Sequence, residues 1–182
     1  HKNSQDRLND CLKVFEWVFE QARETNSKRI FFLGDMFHDR QKMHIPTYNK
    51  TFEILKKNKD LEFWAILGNH DLWYYENTEI SSVYPFSALP NLHIINQPCT
   101  HNFDGLNIDF IPFTHNPLKV IKEEFQKKSD ILFSHIAVDK AILNFGHRTK
   151  SEVSVEIDSD MVSVSSDCFS DWKKVFLGHY HG

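Results

Sequence analysis

Cysteine is scarce. Only Cys11, Cys99 and Cys168 are present, odd in number and far apart, so no disulfide framework is expected and reduced thiols in an intracellular protein are. Glycine and proline number six each, too few for a collagen-like or low-complexity chain. No apolar run approaches the ~18 residues of a membrane span, and no basic-then-apolar leader marks the chain for secretion. An excess of positive charge is lacking too: 21 Lys and Arg stand against 25 Asp and Glu, a net charge of −4. A module that coats nucleic acid by charge alone is normally basic, which disfavours that class. An enzyme that meets phosphates through bound metal ions stays open, because the ions bring their own charge.

What is plentiful is core material and histidine. The 182 residues are 41% hydrophobic and include 16 Phe, enough for one folded domain. Leu8, Leu12, Phe15, Val18, Phe19 and Ala22 recur at steps of three and four between Asp6 and Arg23, one apolar face of a helix. Strands are expected at Arg29 to Leu33, Leu61 to Leu67, Leu92 to Ile95, Leu106 to Ile111, Asp130 to Ser134 and Lys174 to Leu177. Helices are expected from Pro46 into the Lys56 to Asp60 charge cluster, and from Pro117 to Lys128. Ser81 to Pro90 reads as loop with one helical turn, and Ile136 to Asp171 as a long loop region. Alternating strands and helices without repeat or linker indicate a single α/β domain, a sheet with helices packed on it.

The eleven His are not scattered evenly. Four apolar strands run into polar, ligand-type residues: Gly34-Asp35-Met36-Phe37-His38, Gly68-Asn69-His70-Asp71, His135, and Gly178-His179-Tyr180-His181. Ligands of open α/β sheets bind at the carboxyl ends of strands, so these four ends would build one concave site. Each piece alone has a bland explanation as a turn or a packed histidine; together, in strand-end positions, they do not. Carboxylate, amide and imidazole without thiolate suit Mn²⁺, Fe²⁺ or Zn²⁺ and not a structural zinc site. Two such ions about 4 Å apart clamp both oxygens of an in-line displacement at phosphorus, which implies metal-assisted phosphoester hydrolysis.

In this order, Gly34-Asp35, Gly68-Asn69-His70-Asp71, His135 and Gly178-His179-Tyr180-His181 resemble four of the five motifs of the calcineurin-like metallophosphoesterase superfamily. The fifth, an Asp-x-His that closes the family's first strand, has no counterpart, so residues 1–182 look like a phosphoesterase sandwich truncated at that strand. His1-Lys2 fits the tail of that motif better than its histidine. Gly-Asp-Met-Phe-His-Asp-Arg at 34–40 and Leu-Gly-Asn-His-Asp-Leu at 67–72 are similar to the nuclease subunits of double-strand-break-repair complexes, the SbcD type and its phage counterparts.

The resemblance implies two divalent ions, manganese first, with Fe²⁺, Zn²⁺ or Mg²⁺ as substitutes. Asp35 would bridge them; Asn69, His135 and His179 would complete one site and His181 would join the other. His70 would protonate the leaving oxygen or stabilise charge in the transition state, and His38 would help place the scissile strand. Asp71 would either orient His70 or fix a turn. It further implies a DNA substrate, an SMC-like ATPase partner, a homodimer, no membrane association, and a place in the cytoplasm of a bacterium or phage-infected cell. From the residues themselves, Arg40 and Lys42 are candidates for phosphate contact, although any exposed basic loop looks the same. Trp73-Tyr74-Tyr75 could stack on a base at the mouth of the site, although core packing or loop anchoring is the commoner use. His44, His93, His101, His115 and His147 match no motif position. The acidic, Ser-rich stretch Glu152 to Asp167 would be a poor DNA surface. Two other readings stay open: a phosphatase or small-molecule or cyclic-nucleotide phosphodiesterase of the same superfamily, and a non-catalytic scaffold with a degenerate fold.

Overall fold

A computed structural model describes residues 4–125, 128–139 and 163–179. Residues 4–6 enter it as backbone only. Helix α1 (Ser4–Glu24) leads into β1 (Arg29–Phe32), then α2 (Ile45–Lys57) and β2 (Glu62–Ile66). A 3-10 turn at Asn69–Asp71 opens directly into the hairpin β3 (Leu72–Tyr74) and β4 (Asn77–Ser81). There follow β5 (Leu92–Ile95), β6 (Cys99–Phe103), β7 (Leu106–Ile111), α3 (Pro117–Glu123), β8 (Ile131–Ser134) and β9 (Lys174–Leu177).

The strands form two main sheets. One is parallel throughout, in the order β1-β2-β5. The other runs β6-β7-β8-β9, with β7, β8 and β9 parallel and β6 antiparallel at its edge. Apolar side chains from both, Ile66 and Ile95 against Ile108 and Phe110, share one cluster, so the sheets pack face to face. Phe31 of β1 is the hinge of that contact: its ring stacks on Phe133 of β8 at 4.9 Å and meets Phe110 and Phe103 edge-on or tilted. The outer face of the first sheet is covered by α1 and α2 through Phe19, Leu55 and Phe63. The outer face of the second carries α3 and a cluster around Leu132, Phe125 and Trp172. The result is a four-layer α/β sandwich, as the strand-helix alternation and the family pattern imply.

The apolar face read for the first helix is the one that packs: Phe19 and Ala22 are buried, and Leu12 and Phe15 lie against them. Two differences have physical causes. The helix expected to reach Lys128 ends at Glu123, because the chain leaves it to bury the Phe125 ring edge-on against Trp172, 6.1 Å away. In the hairpins β3–β4 and β6–β7 only β7 is an expected strand: β3 is just Leu-Trp-Tyr, and β4 and β6 are mostly polar. For the second, the signal was Asp104-Gly105, both at positive φ (54° and 93°), joining Phe103 to Leu106 across a two-residue turn. The middle of the expected 136–171 loop, including His147 and most of the acidic stretch, lies outside the described residues. No helix among the described residues is long and apolar enough to cross a membrane.

Asp109 of β7 knits the second sheet to its helical layer. Fully buried, its carboxylate accepts from Thr100 Oγ1 at 2.6 Å, Ser129 N at 2.8 Å and Trp172 Nε1 at 2.7 Å. A buried donor left without its acceptor costs about 1–3 kcal/mol, so Asp109→Ala should lower the urea-unfolding free energy by about 3 kcal/mol or more, with Asp109→Asn losing less. A loss below about 1 kcal/mol would show that these bonds are not needed.

Candidate metal centre

Four of the five ligand-type residues the sequence singled out lie among the described residues, each past the carboxyl end of a parallel strand: Asp35 after β1, Asn69 after β2, His135 after β8 and His179 after β9. Because β1 and β2 belong to one sheet and β8 and β9 to the other, the site straddles the sandwich. Ligand atoms of Asp35, His135 and His179 lie within 4.8 Å of one another.

His135 is the centre of the cluster and fully buried. Its Nδ1 donates to the Leu33 carbonyl at 2.6 Å; a carbonyl can only accept, so the tautomer of the neutral ring is fixed and Nε2 carries a lone pair. That lone pair faces Asp35 Oδ2 and Asn69 Oδ1, each at 3.2 Å. Carboxylate, amide oxygen and imidazole nitrogen thus converge with no hydrogen of their own to share. Either a second proton on His135 or a cation satisfies such a set, and these are the donors a borderline-hard divalent ion takes. The residues fit a metal. Burial pushes the Asp35 carboxyl up; with the second proton on His135, that ring and the His70 backbone N–H outweigh burial, and the Asp35 pKa falls below the usual carboxylate range.

The backbone is strained at two of the candidate ligands. Asp35 (φ 59°) and His179 (φ 81°) both adopt the left-handed region that non-glycine residues avoid, at about 1–3 kcal/mol each. Glycines let the loops close around them. Gly34 is itself at φ 91°, and a Cβ there would collide with the His135 ring; one on Gly68 would overlap the Asp35 carboxylate.

The two loops of the first sheet hold each other reciprocally. Asp35 Oδ1 accepts from His70 N at 2.9 Å. In return the Asp71 carboxylate accepts from Asp35 N at 2.8 Å, Met36 N at 2.9 Å and Gly68 N at 2.9 Å. Burial pushes Asp71 up to about 6, repulsion from Asp35 adds to this, and the three amides oppose it. Of the two roles open for Asp71, the hydrogen bonds are those of the second. Its carboxylate is spent on the backbone of both loops and makes no hydrogen bond to the His70 ring among the described residues, which is the geometry of a residue that positions the loops.

His70 is half-buried, and the exposed His38 lies parallel to it, 5.3 Å between ring centroids at 16°. The Arg40 guanidinium sits over the Tyr75 ring, 4.1 Å from its centroid. Lys42 is exposed, on a turn where Asp39 Oδ1 accepts from Gln41 N and Lys42 N. The aromatic triplet divides: Tyr75 packs against the core, as loop anchoring implies, while Trp73 and Tyr74 stay 47% and 55% exposed. His181 and His1 lie outside the described residues. Sequence reasoning missed the Leu33 carbonyl, which no residue type announces, and Tyr75 as the seat of Arg40.

Removing the Asp71 carboxylate strips three backbone N–H groups of their acceptor. Asp71→Ala should therefore cost about 3 kcal/mol of stability in metal-free protein, measured by chemical denaturation, and Asp71→Asn less. A variant as stable as the parent would mean that the two loops are held by other contacts.

Comparison with known proteins agrees with this geometry. A sequence model of the calcineurin-like phosphoesterase family matches residues 1–182. Exonuclease subunit 1 of Enterobacteria phage T4 is 26% identical over 156 residues, covering 81% of this chain and 42% of that protein. The chain thus spans about two-fifths of the length of the curated relative it matches. With its motif residues gathered at one rim and the family matched from end to end, the chain belongs to the calcineurin-like phosphoesterase family.

Proposed function

We propose that this chain is the catalytic core of a metal-dependent phosphodiesterase that cuts DNA, a nuclease subunit of the recombination and break-repair kind. The observation that carries the reading is the convergence of lone pairs from Asp35, Asn69 and His135, with His179 beside them, at the rim between the sheets. Asp35, Asn69, His135 and His179 would hold a divalent cation, manganese first, and Asp35 and His181 would serve a second. Bound there, such ions polarise a phosphate and make a nucleophile available at neutral pH.

The protein's own groups do the rest. The His70 backbone is tied to Asp35 Oδ1, so its ring is carried at a fixed offset from the ligand set. From there the imidazole donates a proton to the leaving oxygen. His38, stacked on it, holds the plane of that ring and faces the incoming strand. Arg40, braced on Tyr75, places a positive charge on the same rim, where it helps to compensate for the acidic balance of the chain. The phage relative is named as a subunit of an exonuclease, which supports a partner subunit, in this reading an SMC-like ATPase. A homodimer and a cytoplasmic setting in a bacterium or phage-infected cell complete the proposal.

With Mn²⁺, the protein should degrade linear duplex DNA. Asp35→Ala should abolish the activity, and His70→Ala should lower kcat by about 10²–10⁴-fold while metal binding persists. Turnover of a chromogenic phosphodiester without any attack on DNA would favour a small-molecule phosphodiesterase. DNA loss that survives Asp35→Ala would contradict the reading.

A further inference from the structure

A second cleft, of about 450 Å³, opens on the same rim as the metal centre and within the ~300–1,000 Å³ range of small-ligand sites. Its walls are the residues past the carboxyl ends of β5 and β7, the β3–β4 hairpin, and the side of α3 that carries Val120 and its C-cap Glu124. It is coupled to the metal loops at two points. Phe113 N donates to Leu67 O at 2.8 Å, one residue before the Gly68-Asn69 turn. Tyr75, which forms part of the cleft wall, carries Arg40 on its face and meets Phe113 at 5.3 Å.

The chemistry of the lining is specific. Tyr75, Phe113, Pro98 and Pro112 supply flat apolar surface. Asn96, Gln97, Asn116 and Thr114 supply uncharged donors and acceptors, and Gln97 is oriented by donating to Thr78 Oγ1 at 2.6 Å. The carboxylates of the lining are Glu76 and Glu124, both exposed; His115, edge-on to Tyr75 and Phe113, is its imidazole, and neither Lys nor Arg belongs to it. Such a cleft repels the phosphodiester backbone. It is built for a planar, neutral heterocycle whose edge offers N–H groups.

We propose that this cleft is a nucleobase subsite. It receives the base of a nucleotide next to the scissile phosphate, and it prefers amino-bearing bases to thymine because the two carboxylates accept hydrogen bonds and cannot donate them. The proposal deepens the nuclease reading and rests on it, since the strand must already lie on the metal centre for its neighbour to reach the cleft. Phosphate would be handled at the metal site and by Arg40, the base here. Paying out the two tasks to adjacent pockets fits a substrate whose strand is unpaired at the cut.

Free deoxynucleosides test this without catalysis. Saturation-transfer NMR on the metal-free protein should give transfer to the base protons of deoxyguanosine and deoxycytidine roughly fivefold stronger than to those of thymidine. Glu76→Gln combined with Glu124→Gln should remove that preference, and deoxyribose 5-phosphate should show no transfer. Absence of transfer from any base, equal transfer from thymidine, or a preference untouched by the double variant would each overturn the subsite. Asp35→Asn should keep the nucleoside signal while losing phosphodiester cleavage, so failure of the hydrolytic reading and failure of the subsite are seen separately.

Discussion

The buried carboxylate of Asp71 is the constraint on which the centre depends. It gathers the amides of Asp35, Met36 and Gly68, while Asp35 spends one oxygen on the amide of His70. Two loops from neighbouring strands are thereby locked before any metal arrives. The lock leaves the other Asp35 oxygen directed at His135, 3.2 Å away. Carboxylates held this close resist being ionised together, and only a dense set of N–H donors, with a cation nearby, makes the arrangement tolerable. The left-handed backbone at Asp35 and His179 adds to that cost. The protein meets it with the aromatic core between its sheets.

That core decides where the site can be. Phe31, stacked on Phe133 and touching Phe110 and Phe103, fixes β1 over β7 and β8, so the carboxyl ends of strands from separate sheets come to a common rim. The Leu33 carbonyl, two residues beyond Phe31, then reaches the His135 ring across the gap and sets its tautomer. A sheet-to-sheet packing contact and a proton position on a ligand are in this way linked through a few residues of backbone.

Much of this was legible in the sequence because the signals are local. Apolar strands that stop at Gly and continue into Asp, Asn or His can be seen one at a time, and their order carries the family resemblance. The helical faces of α1 and α2 follow the same rule. What escaped depends on contacts distant in sequence. The short strands β3, β4 and β6, the first only three residues long and the others mostly polar, are defined by their partners more than by their composition, although Asp104-Gly105 did announce one turn. Asp71 sits in a motif of candidate metal and catalytic residues, and nothing in its type separates a carboxylate that binds amides from one that orients an imidazole. Trp73 and Tyr75 are near neighbours of similar character; only the fold sends one into solvent and the other beneath Arg40.

The central claim is that Asp35, Asn69, His135 and His179 are arranged for a divalent cation. A Mn²⁺ titration followed by electron paramagnetic resonance, with wild-type protein and the Asn69→Ala and His135→Ala variants side by side, addresses it most directly. The account predicts stoichiometric uptake by the wild type, with the free Mn²⁺ signal suppressed until the site fills, and weakened uptake in both variants. A free-ion signal that rises from the first addition, or uptake indifferent to both substitutions, would contradict it.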